Sequence, residues 1–272
     1  MESDSPVRGA VPTLAIQAWP FTDALLAGLD AALRSLKALG FDELEIAGNR
    51  GSEPQEFAAA AKRAGLAILG SHEPCLCLES LESDLEHLIA RLEIFGCTYA
   101  TLSSCSPGKP RRKDRDEYRR DAETICRTAE RLAAHGKRLS FHPYTRDLIP
   151  IDGRGDESGL DLMLRECPLL EVEMDLYFLQ KSCARGGSGI ENAYRRYSDR
   201  TTLCHVRNVG QDQRETTLAP GGPLRLEEWL IAASTRVTHF ILEFDPNAVD
   251  GSTAVDFAQA GRANWLKIVR QS

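Results

Sequence analysis

Two hydrophobic periods alternate along the chain. Short apolar runs centre near Leu14-Ala-Ile, Leu44-Glu-Ile, Leu66-Ala-Ile-Leu, Tyr99-Ala-Thr-Leu, Arg138-Leu-Ser-Phe, Leu170-Glu-Val, Leu203-Cys-His-Val and Phe240-Ile-Leu. Between them lie helical stripes. Leu25, Leu29, Leu33 and Leu36 run up to Gly40, and Leu81, Leu85, Leu88 and Leu92 end at Gly96. Tyr118, Ala122, Ile125, Ala129 and Leu132 are closed by Gly136. A glycine just past each stripe stands where a left-handed helix end is wanted. Eight strands alternating with helices predict a parallel sheet. Starts scattered at about 30 residues predict closure into a single (β/α)8 TIM barrel, an α/β fold. The barrel is expected over residues 12–272, behind a flexible N-terminal tail over residues 1–11.

Polar residues break this pattern at strand ends. Asp147 follows Leu139-Ser-Phe-His, Asp175 ends Leu170-Glu-Val-Glu-Met-Asp, His205 lies in Thr202-Leu-Cys-His-Val, and Glu243 follows Phe240-Ile-Leu; successive gaps are 28, 30 and 38 residues. Barrels keep their chemistry at C-terminal strand ends, and a charge there is costly unless paired or metal-bound. Carboxylates with an imidazole and no thiolate predict one divalent ion, Mn, Mg, Co or Zn, held by Asp147, Asp175, His205 and Glu243. His142 is the alternative to Asp147, which is preferred as the harder ligand.

Further polar groups are expected around a bound molecule. Glu45 and His72 close strands two and three and face the substrate as hydrogen-bonding or acid/base groups. His142 and Tyr144 stand in the strand-five loop. Arg207 offers a fork of donors to a hydroxyl or carboxylate. Trp19 and Tyr177 suit one wall of a sugar pocket. Glu173 shares the inward side of Asp175 and would support it. The stretches Ser103–Arg112, Tyr144–Ser158 and Asn208–Pro223 read as loops on the same face.

Composition narrows the choice of partner. A net charge of -7 and a pI of about 5.5 argue against nucleic acid. No apolar run reaches the roughly 18 residues that span a bilayer, and the acidic, polar start does not read as a signal peptide. Most of the eight cysteines lie in apolar stretches, so a reducing cytoplasm is the expected compartment. The Cys75-Leu-Cys77 pair is a weak metal or redox signal. Gly186-Gly-Ser-Gly189 and Pro220-Gly-Gly-Pro223 read as turns rather than phosphate cradles, and no Gly-x-Ser-x-Gly elbow is present. The expected partners are a small sugar-like molecule and, as the assembly considered, a second copy of the chain.

The segments Leu14-Ala-Ile-Gln-Ala, Leu39-Gly-Phe-Asp-Glu-Leu-Glu, Leu69-Gly-Ser-His, Phe141-His-Pro-Tyr, Glu173-Met-Asp-Leu-Tyr, Cys204-His-Val-Arg-Asn and Leu242-Glu-Phe-Asp occur in that order. With them the chain resembles the xylose isomerase-like TIM-barrel superfamily, in its sugar phosphate isomerase/epimerase branch. The resemblance implies one divalent metal on a Glu, Asp, His, Glu set, which falls here on Asp147, Asp175, His205 and Glu243. It also implies that two metal-bound carboxylates, Asp147 and Glu243, act as acid and base across a ketose. Three departures stand out. His142-Pro-Tyr144 replaces the usual His-Asn-His, Asp147 replaces Glu, and Arg207-Asn208 replaces Lys-Asp.

The leading expectation is a metal-dependent isomerase or epimerase that passes a sugar-like polyol ketone through an enediolate. Two others stay open: a dehydratase or lyase of a cyclitol or keto-acid, and a non-catalytic ligand-binding barrel. A repair endonuclease would need a His-rich site and a basic groove, against six histidines and the charge of -7.

Overall fold

The structure is a computed structural model that describes residues 13–48, 51–73, 81–103, 113–153, 155–183, 185–187, 189–210, 215–216, 218, 237–247 and 253–271. The expected tail, the Cys75-Leu-Cys77 pair and the Pro220-Gly-Gly-Pro223 turn lie outside the described residues.

Every expected strand is present: β1 (Leu14–Gln17), β2 (Glu43–Ala47), β3 (Ala67–Glu73), β4 (Tyr99–Ser103), β5 (Arg138–His142), β6 (Glu171–Asp175) and β7 (Thr201–Val206), with the eighth over His239–Leu242. A short antiparallel ribbon, β8 (Asn208–Val209) with β9 (Glu215–Thr216), precedes that last barrel strand, which is therefore β10. The eight parallel strands close in the order β1-β10-β7-β6-β5-β4-β3-β2.

Nine helices are described outside the 3-10 turns: α1 (Thr22–Ala27), α2 (Leu29–Ala38), α3 (Pro54–Ala64), α4 (Leu85–Phe95), α5 (Arg115–Ala134), α6 (Gly159–Glu166), α7 (Leu176–Cys183), α8 (Ile190–Tyr197) and α9 (Ala254–Gln271). The stripe from Leu25 to Leu36 is two helices and not one. Gly28, the weakest helix former in the run, leaves the helical conformation between α1 and α2. Asp114 and Glu117 form a capping box that starts α5. Gly96 and Gly136 take positive φ, 66° and 68°, just past α4 and α5, as the stripes predict. Among the described residues no helix is long and apolar enough to cross a membrane.

Side-chain alternation divides the strands between two environments. Ile16, Leu44, Ile46, Phe141, Val172, Cys204, Phe240 and Leu242 belong to the large core packed under the helices, with Trp265 of α9. A separate buried cluster of Ala15, Leu69, Tyr99, Leu203 and Ile241 plugs the barrel interior. Two residues further along the same inward faces come Gln17, His205 and Glu243. An apolar plug thus supports a polar layer at the C-terminal mouth, the position barrels use for chemistry.

Candidate active site

The polar layer is built from residues in or directly after seven of the eight barrel strands. Gln17, Glu45, His72, His142, Glu173, Asp175, His205 and Glu243 are all buried. Register brings them level: Gln17 pairs with Glu45, Ala47 with His72, and Asp175 with His205. Three imidazoles converge, with ring centroids 4.9 Å apart for His72 and His142, 5.0 Å for His142 and His205, and 5.8 Å for His72 and His205.

Two sets of donor atoms share His205. In the upper set, His142, Asp175, His205 and Glu243 each offer an atom, all within 4.8 Å of one another; in the lower set, Glu45, His72, Glu173 and His205 do the same. In the upper set His205 Nδ1 approaches Glu243 Oε2 to 2.8 Å, and His142 Nε2 lies 3.4 Å from Asp175 Oδ2. Neither nitrogen makes a hydrogen bond there. Lone pairs brought together at such range, without a proton aligned between them, fit a cation better than each other. The upper residues therefore fit a divalent ion by donor type and by spacing.

A guanidinium confirms the field. Arg207 Nη1 lies 3.2 Å from both Asp175 Oδ2 and Glu243 Oε2. Its remaining donors grip Glu215, and its charge sits 4.7 Å over the Tyr177 ring. Asp245 donates its backbone N–H to Glu215 Oε2 at 3.0 Å, which ties the ribbon to the end of β10.

Asp147 does not join this cluster, which corrects the expected ligand set and the acid/base role. After His142 the chain enters a 3-10 turn, Thr145–Asp147. Asp147 Oδ1 accepts from the Tyr118 hydroxyl and Oδ2 from the Tyr144 backbone N–H, both at 2.9 Å. Its carboxylate holds that turn against α5 and does not line the cavity. His142, the alternative from the sequence, stands in the upper set instead.

Burial and neighbours shift these groups in opposite directions. Burial, reinforced by Glu173, pushes the Glu45 carboxyl well above its ordinary value. Burial would raise Glu173 as well, but His205 outweighs it and brings Glu173 to about 2. His205 loses basicity by burial and gains more from Glu173, Glu243 and Glu45, so it ends well above the usual imidazole value. Glu243 is raised by burial and lowered further by His205 and Arg207, ending well below the carboxylate range. Burial takes His72 down to about 4.

Above the cluster opens a cavity of about 660 Å³, lined among others by Gln17, Trp19, His72, His142, Tyr144, Tyr177, Phe178, Arg207, Glu215, Glu243 and Asp245. Of the residues expected to meet a substrate, His72, His142, Tyr144, Tyr177 and Arg207 line it, while Glu45 lies beneath. Sequence reading missed Gln17, Phe178, Glu215 and Asp245, and gave Glu173 only a supporting place. Gln17 and Glu173 carried a signal, since each alternates inward with a barrel residue. Glu215 carried none, because its contact with Arg207 depends on the ribbon.

No protein-family model matches the chain, and no curated protein matches it in sequence. Solved structures do. A sugar phosphate isomerase/epimerase from Parabacteroides distasonis superposes with TM-score 0.73 at 18% identity, over 98% of this chain and 97% of that one. The chain shares the (β/α)8 barrel fold of that protein. A xylose isomerase-like TIM barrel protein from Mycobacterium smegmatis in complex with magnesium gives TM-score 0.71 at 15% identity, over 98% and 99% of the two chains. An L-ribulose 3-epimerase gives 0.71 at 16%, over 96% of each.

Proposed function

We propose that the protein is a metal-dependent isomerase or epimerase of a sugar-like polyol ketone. The observation that carries this reading is the convergence of His142, Asp175, His205 and Glu243 at the barrel mouth, beneath an aromatic-walled cavity. Those four residues would hold one divalent ion. When bound, such an ion lowers the energy of negative charge developing on a substrate carbonyl oxygen, as in an enediolate.

The protein's own groups do the rest. Trp19, Tyr144, Tyr177 and Phe178 wall the cavity with rings against which a polyol carbon face packs. Arg207, held by Glu215, presents a fixed positive charge beside Asp175 and Glu243. Among the described residues Glu243 is the carboxylate that both lines the cavity and belongs to the upper donor set. It is the group placed to remove the α-proton and return it. A carboxylate is ionised throughout the neutral range and so free to accept a proton.

Incubation of Mn²⁺-loaded protein with a panel of ketoses, keto-acids and cyclitols in D₂O, followed by NMR, tests the reading. Solvent deuterium should enter at carbon next to a carbonyl in at least one ketose. No exchange into any member of the panel would refute it and favour a barrel that only binds.

A further inference from the structure

Seven ionisable donors converge at the mouth, and the ion proposed above uses four. A single first-row ion that keeps positions open for substrate has no use for the other three, Glu45, His72 and Glu173. These lie in the lower set, fully or almost fully buried.

Their hydrogen bonding is incomplete. Glu45 Oε2 accepts from Gln17 Nε2 at 2.6 Å and lies 2.9 Å from His205 Nε2, while Oε1 has no partner. Neither oxygen of Glu173 has a hydrogen-bond donor; the nearest nitrogens are His72 Nδ1 at 3.4 Å and His205 Nε2 at 3.5 Å. His72 Nδ1 is unpartnered too. Four lone-pair atoms on three buried side chains therefore face the same small region. Buried lone pairs left without donors are costly, and one cation among these atoms would satisfy them together.

The geometry of His205 lets both donor sets be filled together. Its Nδ1 faces Glu243 in the upper set, and its Nε2 faces Glu45. A neutral imidazole can thus ligate the upper ion through Nδ1 and keep its Nε2 proton for Glu45.

We propose that Glu45, Glu173 and His72 hold a second divalent cation beneath the first, through Glu45 Oε1, the Glu173 carboxylate and His72 Nδ1. The count of two rests on the functional reading above, but the lower donors do not depend on it. The lower ion would fix Glu45, and through it the ring of His205.

Full-length protein stripped with chelator and dialysed against Mn²⁺ tests this by elemental analysis and electron paramagnetic resonance. Wild type should bind two equivalents with a spin-coupled spectrum. Glu173→Gln should bind one, uncoupled, and Asp175→Asn should also bind one. If Glu173→Gln does not melt cooperatively, Glu45→Gln reads the same site. One equivalent in wild type, retained in Glu173→Gln and lost in Asp175→Asn, would overturn the second site and leave the functional reading intact. One equivalent lost in Glu173→Gln but kept in Asp175→Asn would uphold the lower site and sink the upper one. No binding in wild type overturns both.

Discussion

Arg207 and Glu215 face each other as a fork-to-fork pair, Nε to Oε1 at 2.8 Å and Nη2 to Oε2 at 2.7 Å. The two are eight residues apart, brought together because Asn208 pairs with Thr216 and Val209 with Glu215 across the β8–β9 ribbon. Two parallel bonds fix the guanidinium plane, and the Tyr177 ring beneath it restricts what remains. Only Nη1 is left over, and it reaches Asp175 and Glu243. The ribbon is thus a clamp that aims one donor at the candidate chemistry.

Loosening this clamp should cost turnover more than binding. A misplacement of about 1 Å in an acid/base site lowers rate on the order of 10²-fold, and Glu215→Ala is expected to do so in kcat. Arg207→Lys should not rescue activity, since an ammonium cannot span both Glu215 oxygens. Arg207→Ala should cost more than His72→Ala. Steady-state kinetics on the substrate found by deuterium exchange measures all of these, and a Glu215→Ala enzyme within twofold of wild type would refute the clamp.

Asp147 and Glu243 should part company under mutation. Asp147→Ala removes an acceptor from the Tyr118 hydroxyl and from the Tyr144 N–H, a loss of about 2–3 kcal/mol and a fall in Tm of roughly 5–10 °C. Metal content should not change. Glu243→Gln should melt near wild type and lose deuterium exchange by at least about 10²-fold, the scale of acid/base catalysis. Calorimetry with exchange assays separates the two; reversed effects would restore the assignment read from sequence.

The metal-free protein should weaken in mild acid through His72. Its folded pKa is about 4, against an ordinary value of 6.5. Between those values the unfolded chain takes up a proton that the folded one refuses, so stability falls as pH drops from 6.5 to 4. The loss is at most on the order of 3 kcal/mol, at 1.36 kcal/mol per unit. Below pH 4 both states are protonated and this contribution stops growing. Urea unfolding of wild type and His72→Asn at pH 7 and pH 4.5 should show a shallower decline in the variant. Parallel declines would show that His72 does not titrate in this window.

Divalent ions should stabilise wild type. Ligand that binds only the folded chain adds about 2.7 kcal/mol at a hundredfold excess over Kd. The rise in Tm with Mn²⁺ should vanish in a Glu243→Ala, Asp175→Asn, Glu173→Gln triple variant. A rise that survives all three changes would place the ion elsewhere.

The amino-acid sequence alone determined the eight strands, their closure and the height at which Asp175, His205 and Glu243 emerge. Strand alternation and the βα repeat are local properties, written in spacing, and they need no knowledge of the partner strand. Even the depth of Glu173 followed from its place two residues before Asp175. Residues beyond the strand ends were another matter. Asp147 is five residues past His142, and a single turn of 3-10 helix decides whether its carboxylate meets a metal or Tyr118. Glu215 is bound to Arg207 by a ribbon of two residue pairs, too short to leave a periodic signal. Burial likewise belongs to the whole barrel: the same glutamate carboxyl is pushed up in pKa at Glu45 and brought down at Glu173 and Glu243, according to the neighbours that closure supplies. Tertiary structure alone decided which strand-end groups share one low-dielectric layer, because charges there respond to every neighbour in space and to none by its place in the chain.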